Sequence, residues 1–209
     1  MTLLRIDASI LGPYSAGSEL ADLVLEAWSE RRPHEPVVTR HLGTDPLPAT
    51  AWAAAVSSFS VPEEQRTPAQ REALALAHEL ITEVRSADAL LLAFPLYNWG
   101  VSQNVKVWID LLVAGGAATE RVLEGKPVVL VSTRGGAYGP GMPREGWDHN
   151  TPYLRQVLAG FWGADLTVVE RELTLAGTDP ALDRLAAEAE AERLRARAEA
   201  TAAGRALAG

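Results

Sequence analysis

The sequence contains no cysteine, which excludes a disulfide framework, a thiolate nucleophile and a metal site built on thiolates. Basic residues are outnumbered: 19 Lys and Arg against 27 Asp and Glu give a net charge of −8. This balance argues against nucleic acid as the main partner, because phosphate backbones bind to basic faces. No apolar run reaches the ~20 residues of a membrane span, and Met1–Asp7 is too short and too soon charged for a secretory signal. We therefore expect a soluble cytoplasmic protein with no membrane partner and no metal.

One stretch in the middle of the chain combines a buried strand with a polar and aromatic loop. Residues 89–94 are almost wholly apolar and are bounded by Asp88 and Pro95, which is typical of a strand buried on both faces of a parallel sheet. The loop Pro95–Gly100 follows, and apolar residues then recur at helical spacing up to Leu112. Ligands of open α/β sheets bind beyond the carboxyl ends of strands, so this loop is the first candidate for a binding site.

Two further strand ends carry loops suited to ligand binding. A first strand, Leu3–Asp7, precedes a segment rich in Ser and Gly and then a helix, an order that favours an anion site at the helix N-terminus. The alternative is that Ser15 and Ser18 only cap that helix. The buried strand 128–132 leads into Thr133–Gly136, where two glycines permit a close approach of the backbone to a flat ligand.

The remaining pattern predicts an α/β fold with a doubly wound, five-stranded parallel sheet in the flavodoxin-like order 2-1-3-4-5. The second and fifth strands are predicted at 36–42 and 166–173. Helices are predicted at 51–56, after Thr67-Pro68 and after Thr151-Pro152. We expect a single domain, 1–209, ending in a helical segment at about 180–207 whose Glu and Arg residues pair at i,i+3 on a solvated face.

At these positions the sequence resembles the FMN-dependent NADH-azoreductase family, which also reduces quinones. The resemblance runs from about residue 3 to residue 175. Its specific part is the Pro-x-Tyr-Asn-Trp segment at 95–99 followed by Lys-x-Trp-Ile-Asp at 106–110. The supporting parts are Ser9 with Tyr14-Ser15, Gly125-Lys126 and Thr133-Arg134-Gly135-Gly136.

The resemblance implies an FMN site at the interface of a homodimer. It further implies that NADH or NADPH donates electrons and that a small quinone or azo compound accepts them by ping-pong hydride transfer. The flavin carries the chemistry, so no catalytic side chain is expected, and Tyr138 and His149 are candidate pocket residues. Carried over by position, the phosphate and ribityl end of FMN would meet Ser9, Ser15, Ala16 and Gly17. The ring would meet Leu96, Tyr97, Asn98 and Trp99, and its edge Thr133, Arg134, Gly135 and Gly136.

The sequence departs from the family in the segment 114–125, which is shorter and richer in small residues than in many relatives. Ala114 stands where many of them carry an arginine. This segment would normally wall the pocket, so the substrate range stays open, as does the choice between NADH and NADPH. Two alternatives also stay open: an electron carrier of the flavodoxin type, which a net charge of −8 would suit, and an interaction protein that has lost its flavin.

Overall fold

A five-stranded parallel sheet with helices on both faces forms the frame of the protein. The computed structural model describes the whole chain, Met1–Gly209. Its strands are β1 (Leu3–Asp7), β2 (Val37–His41), β3 (Ala89–Ala93), β4 (Leu96–Tyr97), β5 (Gly100–Val101), β6 (Pro127–Thr133) and β7 (Asp165–Arg171). Its α-helices are α1 (Ala16–Arg31), α2 (Ala51–Ser57), α3 (Pro68–Ser86), α4 (Gln103–Leu112), α5 (Thr151–Arg155) and α6 (Ala186–Leu207).

The strand order is β2-β1-β3-β6-β7, with every neighbouring pair parallel. With β4 and β5 set aside as a separate hairpin, this is the predicted order 2-1-3-4-5, and the predicted fold is confirmed. Strands β1 and β3 are buried at every position, as their apolar runs indicate. In the register, Asp7 lies opposite Ala93 of β3, so the carboxyl ends of β1 and β3 reach the same edge.

The two faces of the sheet carry different helices. Helix α3 begins where Thr67-Pro68 predicts, with a capping box in which Thr67 accepts from the Gln70 N–H and the Gln70 side chain accepts from the Thr67 N–H. On its face, Trp108 of α4 packs edge-to-face on Phe94 and Trp162, at centroid distances of 5.7 and 6.1 Å. The opposite face is covered by α1 and α6.

The C-terminal segment packs more closely than its polar composition suggests. Asp179 caps a 3₁₀ turn, Pro180–Leu185, and α6 follows. The predicted i,i+3 pairs are present, Glu190 with Arg193 and Glu192 with Arg195. The other side of α6 presents small residues to α1, and a Cβ added at Gly204 would lie 2.2 Å from the carbonyl oxygen of Val24. Only glycine permits that approach.

Two further features complete the frame around the site. The connection between β2 and α3 contains α2 and two 3₁₀ turns, Ser58–Ser60 and Glu63–Gln65. After α4 the chain widens into a π-helical turn, Val113–Ala117, in the segment that departs from the family. No helix combines the length and the apolar character needed to cross a bilayer.

Candidate functional site

The loop after β1 carries hydroxyl groups and free amides at the start of α1. The Ser15 Oγ accepts a hydrogen bond from the Ser18 N–H at 3.1 Å, so the capping role considered for Ser15 is confirmed. The N–H groups of Ala16 and Gly17 donate to no acceptor within the protein. The Ser15 O–H also keeps its own proton to donate. Capping and anion binding are therefore compatible at Ser15, because the first uses its lone pair and the second its proton.

The loop after β3 is a tight hairpin, which the sequence does not predict. Strands β4 and β5 pair antiparallel, with Tyr97 opposite Gly100. The two residues at the turn, Asn98 and Trp99, have φ angles of +48° and +66°. Two successive positive φ angles are the signature of a type I′ turn. Asn98 tolerates this conformation, whereas a tryptophan adopts it only under strain.

Tyr97 joins this hairpin to the β1 loop. Its hydroxyl lies 3.2 Å from the Ser9 Oγ and accepts a hydrogen bond from the Ile10 N–H at 3.2 Å. The Ser9 Oγ in turn accepts from the Leu11 N–H. Ser9 and Tyr97, 88 residues apart in sequence, thus lie side by side at the carboxyl edge of the sheet, where the ends of β1 and β3 meet.

The loop after β6 reaches the same place. A Cβ added at Gly17 would lie 3.4 Å from the Thr133 Oγ1, so the start of α1 and the end of β6 are in contact. The carbonyl groups of Gly135 and Gly136 accept from Leu175 N–H and Leu173 N–H, which fixes the loop. The N–H groups of these two glycines have no acceptor within the protein and remain available to a ligand.

The side chain of Arg134 is occupied by carboxylates. Its guanidinium donates to Asp148 at 2.6 Å and Glu170 at 2.5 Å, and lies 3.3 Å from Glu172. Burial opposes its charge, but the attraction of Glu170 and the bond to Asp148 outweigh burial and raise the pKa of Arg134 above its ordinary value. The two terminal nitrogens are thus engaged within the protein, whereas the buried Nε has no hydrogen-bond partner. Contact between this residue and a cofactor stays a prediction.

The carboxylates around Arg134 anchor the neighbouring segments. Asp148 accepts from the N–H groups of Asn150 and Thr151 at the start of α5. Burial works against its ionised form, but the hydrogen bonds from Thr151 and Arg134 prevail and hold the pKa of Asp148 below its ordinary value. Glu172 accepts from the N–H groups of Tyr138 and Gly139.

The two candidate pocket residues lie in different surroundings. Tyr138 is buried, and the Arg144 guanidinium carbon lies 5.8 Å from its ring centroid. His149 is exposed beside the hairpin, and its N–H donates to the Trp99 carbonyl at 3.0 Å. Of the two, His149 alone lines a cavity with Asn98 and Trp99.

Two residues near the site escape sequence reasoning. Trp147 packs edge-to-face on Trp99, with ring centroids 6.2 Å apart. Asn150 is fully buried, and its Nδ2 donates to the Phe94 carbonyl and the Ser132 Oγ, tying the ends of β3 and β6 together. The available signal for Asn150 is the run Asp148–Pro152, which reads as a helix start and gives no indication of burial.

Cavities flank the hairpin on both sides. One, of about 480 Å³, is lined by Asn98, Trp99, Gly100, Trp147 and His149, and a second of about 480 Å³ by residues that include Ile10, Tyr97, Asn98 and Gln103. A third, of about 550 Å³, lies at the amino edge of the sheet between Thr2 and the α3 residues His78 and Glu79. None of the predicted site residues lines that third cavity.

Comparison with known proteins agrees with this architecture. Residues 1–199 match the family model described as the flavodoxin-like fold. An FMN-dependent NADH:quinone oxidoreductase of Frankia casuarinae is 39% identical over 86% of this chain and 87% of its own. One of Streptomyces avermitilis is 36% identical over 99% of this chain and 97% of its own.

Solved structures share the fold at lower identity. The azoreductase of Bacillus anthracis superposes with a TM-score of 0.79 at 21% identity, over 99% of both chains. An FMN-dependent NADH-azoreductase of the same species, in complex with FMN, gives 0.76 at 18% identity over 100% of this chain and 99% of that one. The chain belongs to the flavodoxin-like family that contains the FMN-dependent NADH-azoreductases and NADH:quinone oxidoreductases.

Proposed function

We propose that this protein is an FMN-dependent oxidoreductase that transfers electrons from NADH or NADPH to quinones and azo compounds. The observation that carries the proposal is the meeting of three loops, after β1, β3 and β6, through the Tyr97–Ser9 and Gly17–Thr133 contacts. The relatives support the activity, since two are FMN-dependent NADH:quinone oxidoreductases and one, from Pseudomonas aeruginosa, is an FMN-dependent NAD(P)H:quinone oxidoreductase. We infer that the whole chain acts as one flavin-binding domain.

The start of α1 fits the phosphate end of FMN. The Ala16 and Gly17 N–H groups are free, and the Ser15 hydroxyl has a proton to donate. These donors stand at the N-terminus of a 16-residue helix, whose dipole favours a negative charge. Gly17 keeps the space beside the Thr133 hydroxyl open, since a Cβ there would lie in van der Waals contact with it.

The other two loops fit the ring. The exposed Asn98 amide offers both a donor and an acceptor to an imide edge, and Tyr97 and Trp99 offer flat apolar surface. The free N–H groups of Gly135 and Gly136 are donors suited to a carbonyl oxygen on which negative charge develops. Bound FMN would supply the hydride chemistry, so the side chains of this protein bind and orient, and none has to act as a nucleophile.

A second copy of the chain would complete the site. Trp52 and Val56 lie one turn apart on α2, and with Phe59 they leave 46%, 43% and 60% of their surfaces exposed. Large apolar side chains that stay exposed close together in sequence are typical of an interaction surface. We propose a homodimer that covers it, consistent with the family resemblance, and sedimentation at micromolar concentration tests the dimer. Because reduced nicotinamides are held in the cytoplasm, we propose that compartment for the activity.

Steady-state oxidation of NADH and of NADPH, followed at 340 nm with 1,4-benzoquinone as acceptor, tests the function. We expect turnover that requires FMN, protein and quinone together. A protein that binds FMN but gives no turnover with either nicotinamide would be an electron carrier, and one that takes up no FMN would be a non-catalytic interaction protein. Either result would refute the proposal.

A further inference from the structure

The strained turn of the hairpin is held in place by a segment from elsewhere in the chain. Trp99 adopts a left-handed φ of +66°, a conformation that a bulky side chain adopts at an energetic cost. Its carbonyl accepts from the His149 N–H at 3.0 Å, and its ring meets the ring of Trp147 at an interplanar angle of 76°. Strain of this kind is retained where the surrounding structure enforces it, and it concentrates at functional sites.

The segment that carries Trp147 is anchored on both sides of the tryptophan. The Trp147 N–H donates to the Arg144 carbonyl at 3.1 Å. The next residue, Asp148, is tied to Arg134 and to the first N–H groups of α5. The backbone around Trp147 is thus fixed from residue 144 to residue 151, and the tryptophan has a defined position.

Despite this anchoring, the two indoles are not buried. Trp99 leaves 49% and Trp147 51% of their surfaces exposed, whereas Trp28, Trp108 and Trp162 are fully buried in the core. Neighbouring apolar side chains that stay exposed are typical of ligand-binding grooves and interaction surfaces. Two half-exposed rings on a fixed backbone form the apolar walls of the cavity of about 480 Å³ that Asn98 and His149 also line.

The shape and chemistry of this cavity select its ligand. Its volume lies within the ~300–1,000 Å³ of small-molecule sites, which are mostly apolar with a few polar groups. Aromatic walls bind flat rings, and the His149 imidazole is the polar side chain of the cavity that is not assigned to FMN. With centroids 6.2 Å apart, the two indoles together offer more surface than a single six-membered ring covers.

We propose that Trp147 is a specificity-determining residue that, with Trp99, binds the flat electron acceptor and favours fused two-ring acceptors over single rings. The inference rests on the proposed function, which places the flavin ring beside the Asn98–Trp99 turn, and an acceptor that takes a hydride has to lie against that ring. It adds a residue from outside the loops predicted from the sequence, and it assigns that residue to the acceptor and not to FMN.

The test compares Trp147→Ala, Trp147→Phe and the control Leu194→Ala, which removes a side chain of similar exposure on α6. Steady-state kcat/KM with NADH is measured for 1,4-naphthoquinone and 1,4-benzoquinone. We expect Trp147→Ala to lower the naphthoquinone value about tenfold or more and the benzoquinone value less than about threefold, because the second ring loses its aromatic contact. Trp147→Phe recovers most of the loss, Leu194→Ala changes neither value, and FMN affinity stays within twofold throughout.

A binding measurement separates this inference from the proposed function. Naphthoquinone is titrated without NADH, with quenching of the remaining tryptophans as the signal, and weaker binding to Trp147→Ala is expected. An equal fall for both quinones, or no fall, overturns the inference while leaving the oxidoreductase in place. A Trp147→Ala variant that dissociates into monomers but keeps the wild-type ratio of kcat/KM for the two quinones would show that Trp147 is a subunit contact. That result would also overturn the inference. A wild-type protein without NADH:quinone turnover would refute the proposed function, and the titration would still decide the subsite.

Discussion

Removing the charge of Arg134 is expected to lower the stability of the protein more than its affinity for FMN. The buried guanidinium is paired with Asp148, Glu170 and Glu172, although the family resemblance places this residue at the edge of the cofactor. We predict that Arg134→Met, which keeps the bulk and removes the charge, destabilises the protein without FMN and leaves FMN affinity within about tenfold. The affinity is retained because Leu173 and Leu175 hold the following glycines independently of the guanidinium.

The loss of stability in Arg134→Met depends on the hydrogen-bond partners that each carboxylate retains. Breaking a buried ion pair costs about 3–5 kcal/mol when the remaining charge has no other partner. Here Asp148 keeps two backbone donors, Glu172 keeps two and Glu170 keeps Arg155, so the lower end applies. About 3 kcal/mol corresponds to a fall in Tm of about 6–12 °C for a chain of this length.

Thermal unfolding of the apoprotein by circular dichroism, with FMN titration of the folded variant, measures both quantities. The matched control is Arg155→Met, which removes an exposed partner of the same Glu170 and is expected to cost less than about 1 kcal/mol. A loss of stability below 1 kcal/mol for Arg134→Met, together with a hundredfold loss of FMN affinity, would show that the guanidinium acts on the cofactor and refute this reasoning.

Four further predictions test the site and its frame. Ser15→Asp keeps the helix cap, since Asp caps as well as Ser, but its charge repels the phosphate. Fluorescence titration should show at least about a hundredfold weaker FMN binding for Ser15→Asp, whereas the neutral control Ser15→Asn should stay within about tenfold of the wild type. Equal affinities of the two variants for FMN would place the phosphate elsewhere. Asn98→Ala should weaken FMN binding about tenfold in the same titration, and an unchanged Kd would count against its contact with the ring. Gly204→Ala forces α6 away from Val24 and should cost about 1–3 kcal/mol in urea unfolding, where an unchanged midpoint would contradict the close approach. The pKa of Asp148 is lowered in the folded state, so its contribution to stability is present above its ordinary pKa and is lost as the pH falls through the folded pKa. The Tm difference between the wild type and Asp148→Asn should therefore shrink below about pH 4. A Tm difference that stays constant down to about pH 3 would exclude this linkage.

The frame of the fold is readable from the sequence because its signals are local. The apolar runs of β1, β3 and β6 indicate buried parallel strands, and Thr67-Pro68 marks a helix start through its capping chemistry. Small residues are the exception: the alanines that face α1 from α6 give little periodic signal, since alanine occurs on both buried and exposed faces. The sequence therefore indicates the solvated side of α6 and not its packed side.

The parts of the site that escape prediction depend on contacts between distant residues. A type I′ turn is recognised in a sequence by Asn-Gly, and here a tryptophan stands at position 99 in place of the glycine. The contacts of Trp99 with Trp147 and His149, which are distant in sequence, give no local signal. The three partners of Arg134 lie 14, 36 and 38 residues further along the chain. Asp148 precedes α5, Glu170 lies in β7 and Glu172 directly follows β7. No local pattern reports such a network, and only the folded sheet brings it together.

Titration of the apoprotein with FMN tests the central claim most directly, since the claim is that three separate loops form one flavin site. We predict quenching of FMN fluorescence that saturates at one FMN per chain, and an absorption spectrum of oxidised flavin that stays with the protein through gel filtration. FMN that passes through the column free, with its fluorescence unchanged at saturating protein, would contradict the account.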